Sequence, residues 1–152
     1  MKTIVVGYDA SDAAARVLDR AAELAEALAA RVVVVSVSLA TLPVPAPVLE
    51  PTGPMLVPGS VGGTAPEHPD PKELAQRPLE QARRRLAQRS LEADYLAEVG
   101  SPAERLLAVA DDRDAELIVV GSGDHGLLER LIAQPVEEAV ARRAGRDVLI
   151  VH

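Results

Sequence analysis

The sequence predicts a three-layer α/β sandwich, doubly wound around a five-stranded parallel sheet and folded as one domain. Three observations point there. Short β-branched runs alternate with longer stretches of helical periodicity along most of the chain. Aromatic residues are almost absent, Tyr8 and Tyr95 being the only two, so the core must be built from Val, Leu, Ile and Ala. Such a core suits parallel strands covered by helices on both faces. At 152 residues, 48% hydrophobic and 26% charged, the chain can bury one proper core.

Each element follows from a local pattern. Thr3 to Val6 is β-branched without alternation, as a strand buried on both faces requires. Ser11 stands where a helix N-cap belongs, with Asp12 in the first turn. Ala14, Val17, Leu18, Ala21, Leu24, Ala25 and Leu28 recur at helical spacing, which predicts a helix over about 11–30. Val32 to Val37 is a second buried strand. Strand, long helix and strand form a βαβ unit, whose crossover is right-handed.

Between about 39 and 71 the periodicity collapses. Nine of the twelve prolines lie there, together with Gly53, Gly59, Gly62 and Gly63, so neither helix nor central strand can persist. The stretch is an excursion from one domain spanning 1–152, because the 38 residues before it could not bury a separate core. A second helix is expected from Pro71 to Ala93, with Pro78 as a kink or a late start. Tyr95 to Val99 is a third strand. Ser101 as N-cap, Pro102 at the first position and Glu104 at the third open another helix, whose buried face is Leu106, Leu107, Val109 and Ala110. Glu116 to Val120 is the fourth strand. A Gly-rich turn, a helix over about 135–144 and a last strand from Asp147 to Val151 complete a Rossmann-like alternation.

Composition excludes several functions. The net charge is −7, and the densest basic run, Arg83-Arg84-Arg85, reads as a solvated helix face beside Glu80 and Glu92. Nucleic acid is therefore not expected as a partner. Without cysteine there is no disulfide and no thiolate chemistry. The N-terminal apolar run is too short for a signal segment, and no stretch reaches the roughly 20 apolar residues of a membrane span. A cytoplasmic location without membrane attachment is the expectation. His68, His125 and His152 have no metal-ligand spacing, and no nucleophile elbow, Walker loop or hydrolytic acid pair is present. No catalytic residue and no metal is expected.

Open parallel sheets bind ligands beyond the carboxyl ends of their strands, where strand order reverses. Two segments can meet there. Gly7-Tyr8-Asp9 follows the first strand, and Gly121-Ser122-Gly123-Asp124-His125-Gly126 follows the fourth. A helix after the second segment could offer N–H groups to phosphate. A tight turn needing positive φ explains the glycines equally well.

Ile4-Val5-Val6-Gly7-Tyr8-Asp9-Ala10-Ser11, Val99-Gly100-Ser101-Pro102-Ala103-Glu104, Glu116-Leu117-Ile118-Val119-Val120-Gly121-Ser122 and the closing Asp147-Val148-Leu149-Ile150-Val151 occur in that order. Together they resemble the universal stress protein family over nearly the whole chain. ATP-binding members of that family carry G-x2-G-x9-G-[ST] after the fourth strand. Here the four fixed positions fall on Gly121, Asp124, Gln134 and Pro135, so one of the four is kept. Pro135 removes an N–H, and Gln134 adds bulk where close approach is needed. Asp124 would repel a phosphate by about 3 kcal/mol per charge pair at 5 Å and an effective dielectric near 20, unless Mg²⁺ bridged the two. Glu137 and Glu138 complement the positive end of the following helix in place of an anion.

The resemblance implies an absent or weak triphosphate site formed by the Gly-rich turn with Gln134, Pro135 and Val136. No cofactor is expected, and ATP, ADP or AMP is disfavoured. The nucleoside half is better kept: by resemblance Asp9 faces the ribose, while Val37 and Val120 border the adenine. Capping of the first helix or its turn is an equal reading of Asp9, and core packing explains both valines. Val148, Leu149, Ile150 and Val151 form an uncharged strand at the expected sheet edge, and such an edge invites pairing. By resemblance that pairing makes a homodimer. The function expected is a non-catalytic stress-response or scaffold protein; the alternatives are an adenine-nucleotide sensor and, last, a slow nucleotide hydrolase.

Overall fold

The computed structural model describes residues 2–40, 69–122 and 135–152. Among these, five strands and four helices alternate: β1 (Thr3–Gly7), α1 (Asp12–Leu28), β2 (Arg31–Ser38), α2 (Pro71–Leu86), β3 (Ala93–Val99), α3 (Pro102–Asp112), β4 (Leu117–Gly121), α4 (Val136–Arg143) and β5 (Asp147–Val151). The sheet is parallel throughout, in the order β3-β2-β1-β4-β5. The expected doubly wound fold is what the chain adopts. Strand order runs outward from β1 to β3, then returns to the other side of β1. The switch point therefore lies between β1 and β4.

Alternation along the strands divides the core into two layers. Ile4, Val6, Val32, Val34 and Val119 pack on α1 and α2. Val5, Val33, Val35, Ile118 and Val120 face the opposite way, onto α3 and α4. Burying each such side chain contributes about 1.5–3 kcal/mol. Beside the buried Tyr8 ring, alanines at Ala14, Ala21, Ala22 and Ala25 let α1 sit close against the valines.

The helix ends follow the sequence with three corrections. Ser11 caps α1 as expected, its Oγ accepting from Ala14 N–H at 3.1 Å. Ser101 occupies the N-cap position of α3, but its hydroxyl makes no capping bond. Pro135 is the N-cap of α4 and not its first residue, which is Val136. Finally, α2 begins at Pro71 behind an Asp70 cap, runs through Pro78 and stops at Leu86, short of the expected Ala93. Geometry accounts for that stop. Sixteen residues of helix span about 24 Å, close to the roughly 26 Å of the eight-residue β2, and seven more would overshoot the sheet.

Arg146 secures the entry to β5. Its Nη1 donates to the carbonyls of Ala110 at 2.7 Å and Ala115 at 2.8 Å, and its Nε donates to Ala144 O at 3.1 Å. The guanidinium also pairs with Asp111. One side chain thus fastens α3, the approach to β4 and the end of α4 together.

Candidate functional site

The switch point brings together Gly7, Tyr8 and Asp9 after β1 with Val120, Gly121 and Ser122 at the end of β4. Adjacent register, Val6 beside Val119, makes the two strand ends neighbours. Both glycines sit where packing is close. A Cβ on Gly7 would meet Leu106 Cδ1 at 3.2 Å, and one on Gly121 would meet Val17 Cγ2 at 3.1 Å. Leu106 of α3 and Val17 of α1 thus lie close above the crevice floor. Leu106 was legible in the sequence only as a core residue, and its place against Gly7 depends on strand order.

Several groups at the crevice are already engaged within the fold. Asp9 is exposed, and its Oδ1 accepts from Ser11 N–H at 2.9 Å, closing a turn into α1. Of the two readings of Asp9, the turn-capping contact is present in the structure. Ser122 donates its N–H to Val151 O at 2.9 Å, and its hydroxyl lies 3.4 Å from the same carbonyl. Tyr8 reaches the crevice through its backbone alone, since N–H donates to Val35 O at 2.9 Å while the ring is buried with α1 and α2. Its hydroxyl makes no hydrogen bond with the described residues. Burial pushes the Tyr8 phenol above its ordinary pKa, and nearby Arg85 pulls part of the way back.

Val120 is buried, and Val37 is half-buried near the carboxyl end of β2. Pro135 and Val136 open α4 on the face shared with α3, where Val136 packs against the second core layer. Glu137 and Glu138 occupy the first turn of α4, and Glu138 pairs with Arg142 at 2.6 Å. Gly123, Asp124, His125, Gly126 and Gln134 lie outside the described residues, as do His68 and positions 41–68 of the excursion. Among the described residues no cluster of three or more His, Asp or Glu could hold a metal, and no helix is long and apolar enough to cross a membrane.

A second concave feature went unread in the sequence. It is a groove of about 400 Å³ between α1 and β5, walled by Arg16, Asp19, Arg20 and Glu23 and floored by Leu149 to Val151. The spacing i, i+3, i+4, i+7 marks one stripe of a helix and was the available signal.

Residues 1–152 match the sequence profile of the Universal stress protein family. A universal stress protein of Mycobacterium tuberculosis is 33% identical over 156 aligned residues, which cover 99% of this chain and 96% of the relative. Among solved structures, a universal stress protein in complex with cAMP shares 28% identity over 99% of this chain and 97% of that one, with a TM-score of 0.66. Another, from Archaeoglobus fulgidus, shares 26% identity over 100% and 94% of the two chains, with a TM-score of 0.65. With the strand order, the crevice and the whole-chain match in agreement, this chain belongs to the universal stress protein family.

Proposed function

We propose that this protein acts by binding and not by turnover, as a homodimeric, cytoplasmic stress-response or scaffold protein whose crevice takes ATP weakly or not at all. The observation that carries this reading is the start of α4. A bound phosphate would need free N–H groups and a positive helix end there. The position is instead occupied by Pro135, which has no N–H, followed by the carboxylates of Glu137 and Glu138. Two further features support it: Ser122 N–H is committed to Val151 O, and three of the four fixed positions of the ATP-binding pattern are replaced.

One observation favours a second reading, an adenine-nucleotide sensor. The 28%-identical universal stress protein was solved in complex with cAMP, a ligand with a single phosphate. A crevice poor in triphosphate contacts can still accept a nucleoside carrying one phosphate, through Asp9, Val37 and Val120.

Calorimetric titration of nucleotide-stripped protein with ATP, ADP, AMP and cAMP, each with and without Mg²⁺, separates the two. The scaffold reading expects no heat up to millimolar ligand. Micromolar binding of any of these nucleotides overturns the scaffold reading in favour of the sensor, and micromolar ATP binding would mean that the altered turn holds phosphate by another route. As a control on the cause, Asp124→Gly, Gln134→Gly and Pro135→Ser together should create ATP binding.

A further inference from the structure

The charged stripe on α1 faces the free edge of β5, and its pattern has a symmetry of its own. Arg16, Asp19, Arg20 and Glu23 read plus, minus, plus, minus along one helix face. Reversing the direction of the helix about a point between Asp19 and Arg20 sets Arg16 against Glu23 and Arg20 against Asp19. A two-fold axis performs that reversal. The same stripe set beside a parallel copy of itself would place like against like.

The groove floor meets the same condition. Among the described residues β5 pairs with β4 only, so its outer edge is free. Val151 O accepts from Ser122 N–H on the β4 side, so by alternation Val148 and Ile150 direct their N–H and C=O groups outward. Antiparallel pairing about Leu149 and about Ile150 both satisfy those outward groups. The strand alone therefore does not fix its own register. Leu149 and Val151 lie half-buried on the α1 side, so a second β5 placed about 4.8 Å beyond the first would extend the groove floor with its own Leu149 and Val151.

The charges differ in how far they are already satisfied. Asp19 is held by Arg85 at 2.6 and 2.8 Å, and Arg20 pairs with Glu23 at 2.9 Å. Arg16 is exposed and has no ion pair with the described residues.

We propose that this α1 stripe is the orientation-setting rim of a two-fold β5-to-β5 interface with a second copy of the chain, Arg16 of each protomer lying on the side of Glu23 of the partner subunit. The inference rests on the dimer reading above and adds the residues that select its geometry. Apolar pairing of β5 supplies the adhesion, and the stripe supplies the direction. Charges facing each other across two strands act through their field and are screened by salt, so the device works best at low ionic strength.

The test is charge reversal with exchange. Native protein is first weighed by light scattering coupled to size exclusion. Arg16→Glu makes residues 16 and 23 both negative; Glu23→Arg makes both positive. Each variant alone is expected to dimerise about tenfold more weakly than native. Mixed at low salt, the two should form heterodimers beyond the half expected from random exchange. That excess should shrink as salt approaches about 1 M, where the screening length falls to about 3 Å. The double variant Arg16→Glu with Glu23→Arg restores the antisymmetry and should return toward native affinity. Random exchange in a protein that is itself a dimer overturns this proposal and leaves the dimer reading standing. A monomer at all concentrations overturns both. Circular dichroism of each variant confirms that the exposed substitutions leave the fold intact.

Discussion

The two edges of the sheet carry opposite chemistry. β3, at one end, is seven residues long and includes Asp94 and Glu98. Arg113 pairs with Asp94 at 2.9 Å, Arg105 stands 3.9 Å from Glu98, and the Arg83 guanidinium lies 4.6 Å over the ring of Tyr95. β5, at the other end, has one charge at its start, Asp147, and then four uncharged residues. Charged residues on an edge strand discourage pairing with another chain, and a bare apolar edge invites it. One edge of this sheet is guarded and the other is left open. That contrast supports the proposal that β5 is the adhesive side, and it does so without reference to any relative.

The largest effect should come from blocking each edge in the same way. At β5 the outward groups belong to Val148 and Ile150. At β3, Val32 N–H donates to Glu92 O and Gly100 N–H to Ser38 O, so the outward groups belong to Tyr95 and Ala97. Ile150→Pro and Ala97→Pro each remove one outward N–H and spare the inner ladder. Symmetry doubles the loss in a dimer, so Ile150→Pro should cost about 2–3 kcal/mol of association, or 30- to 100-fold in dissociation constant. Ala97→Pro should leave the mass of the particle unchanged. Light scattering over a concentration series reads both, and the reverse outcome would mean the open edge is β3.

A smaller effect separates adhesion from anchoring. Arg146 satisfies the carbonyls of Ala110 and Ala115, residues that are themselves buried, just ahead of β5. Truncation by Arg146→Ala strands the Ala115 acceptor, while Ala110 O keeps its bond from Ala115 N–H at 2.9 Å; the cost is about 1–3 kcal/mol for a buried group left without a partner. Denaturant unfolding should report that loss in the isolated protomer. No comparable clamp holds β3 among the described residues, where the ion pairs are exposed and contribute about 1 kcal/mol or less each. Should Arg146→Ala unfold at the native midpoint, the anchor is dispensable and the edge strand is held by its ladder alone.

Much of this was legible in the sequence, for a physical reason. Buried parallel strands need unbroken β-branched runs, and Val32 to Val37 and Ile118 to Val120 supply them with little ambiguity. Length-limited features were harder. The helical pattern of α2 continues past Leu86, and only the span of the sheet says where it must stop. Cap chemistry was read from residue type at Ser101, whereas the hydroxyl finds no donor in the folded geometry. At the crevice, the sequence located both strand ends but not their occupancy: Asp9 and Ser122 spend their polar groups on Ser11 N–H and Val151 O. The α1 groove required tertiary placement, because nothing local distinguishes a charged stripe beside an open edge from one facing water.

The smallest expected effect concerns the ion pair that joins the two halves of this comparison. Asp19 lies on the helix beside the β5 groove, and Arg85 lies on α2, which covers the β3 side. The hydrogen bond from Arg85 holds the Asp19 carboxyl below its ordinary pKa. A carboxylate depressed in this way stabilises the fold fully above the unfolded value, about 3.9, and the contribution is lost as pH falls through the lower folded value. Both side chains are more than a third exposed, at 36% and 44%, so the pair contributes less than about 1 kcal/mol. Asp19→Asn should therefore lower the melting temperature at pH 7 by about 2–4 °C at most. The deficit should vanish as the pH is taken below the folded pKa, where native Asp19 is itself protonated. A deficit that persists there would come from packing and not from charge, and Arg85 would then have no electrostatic hold on the helix that walls the open edge.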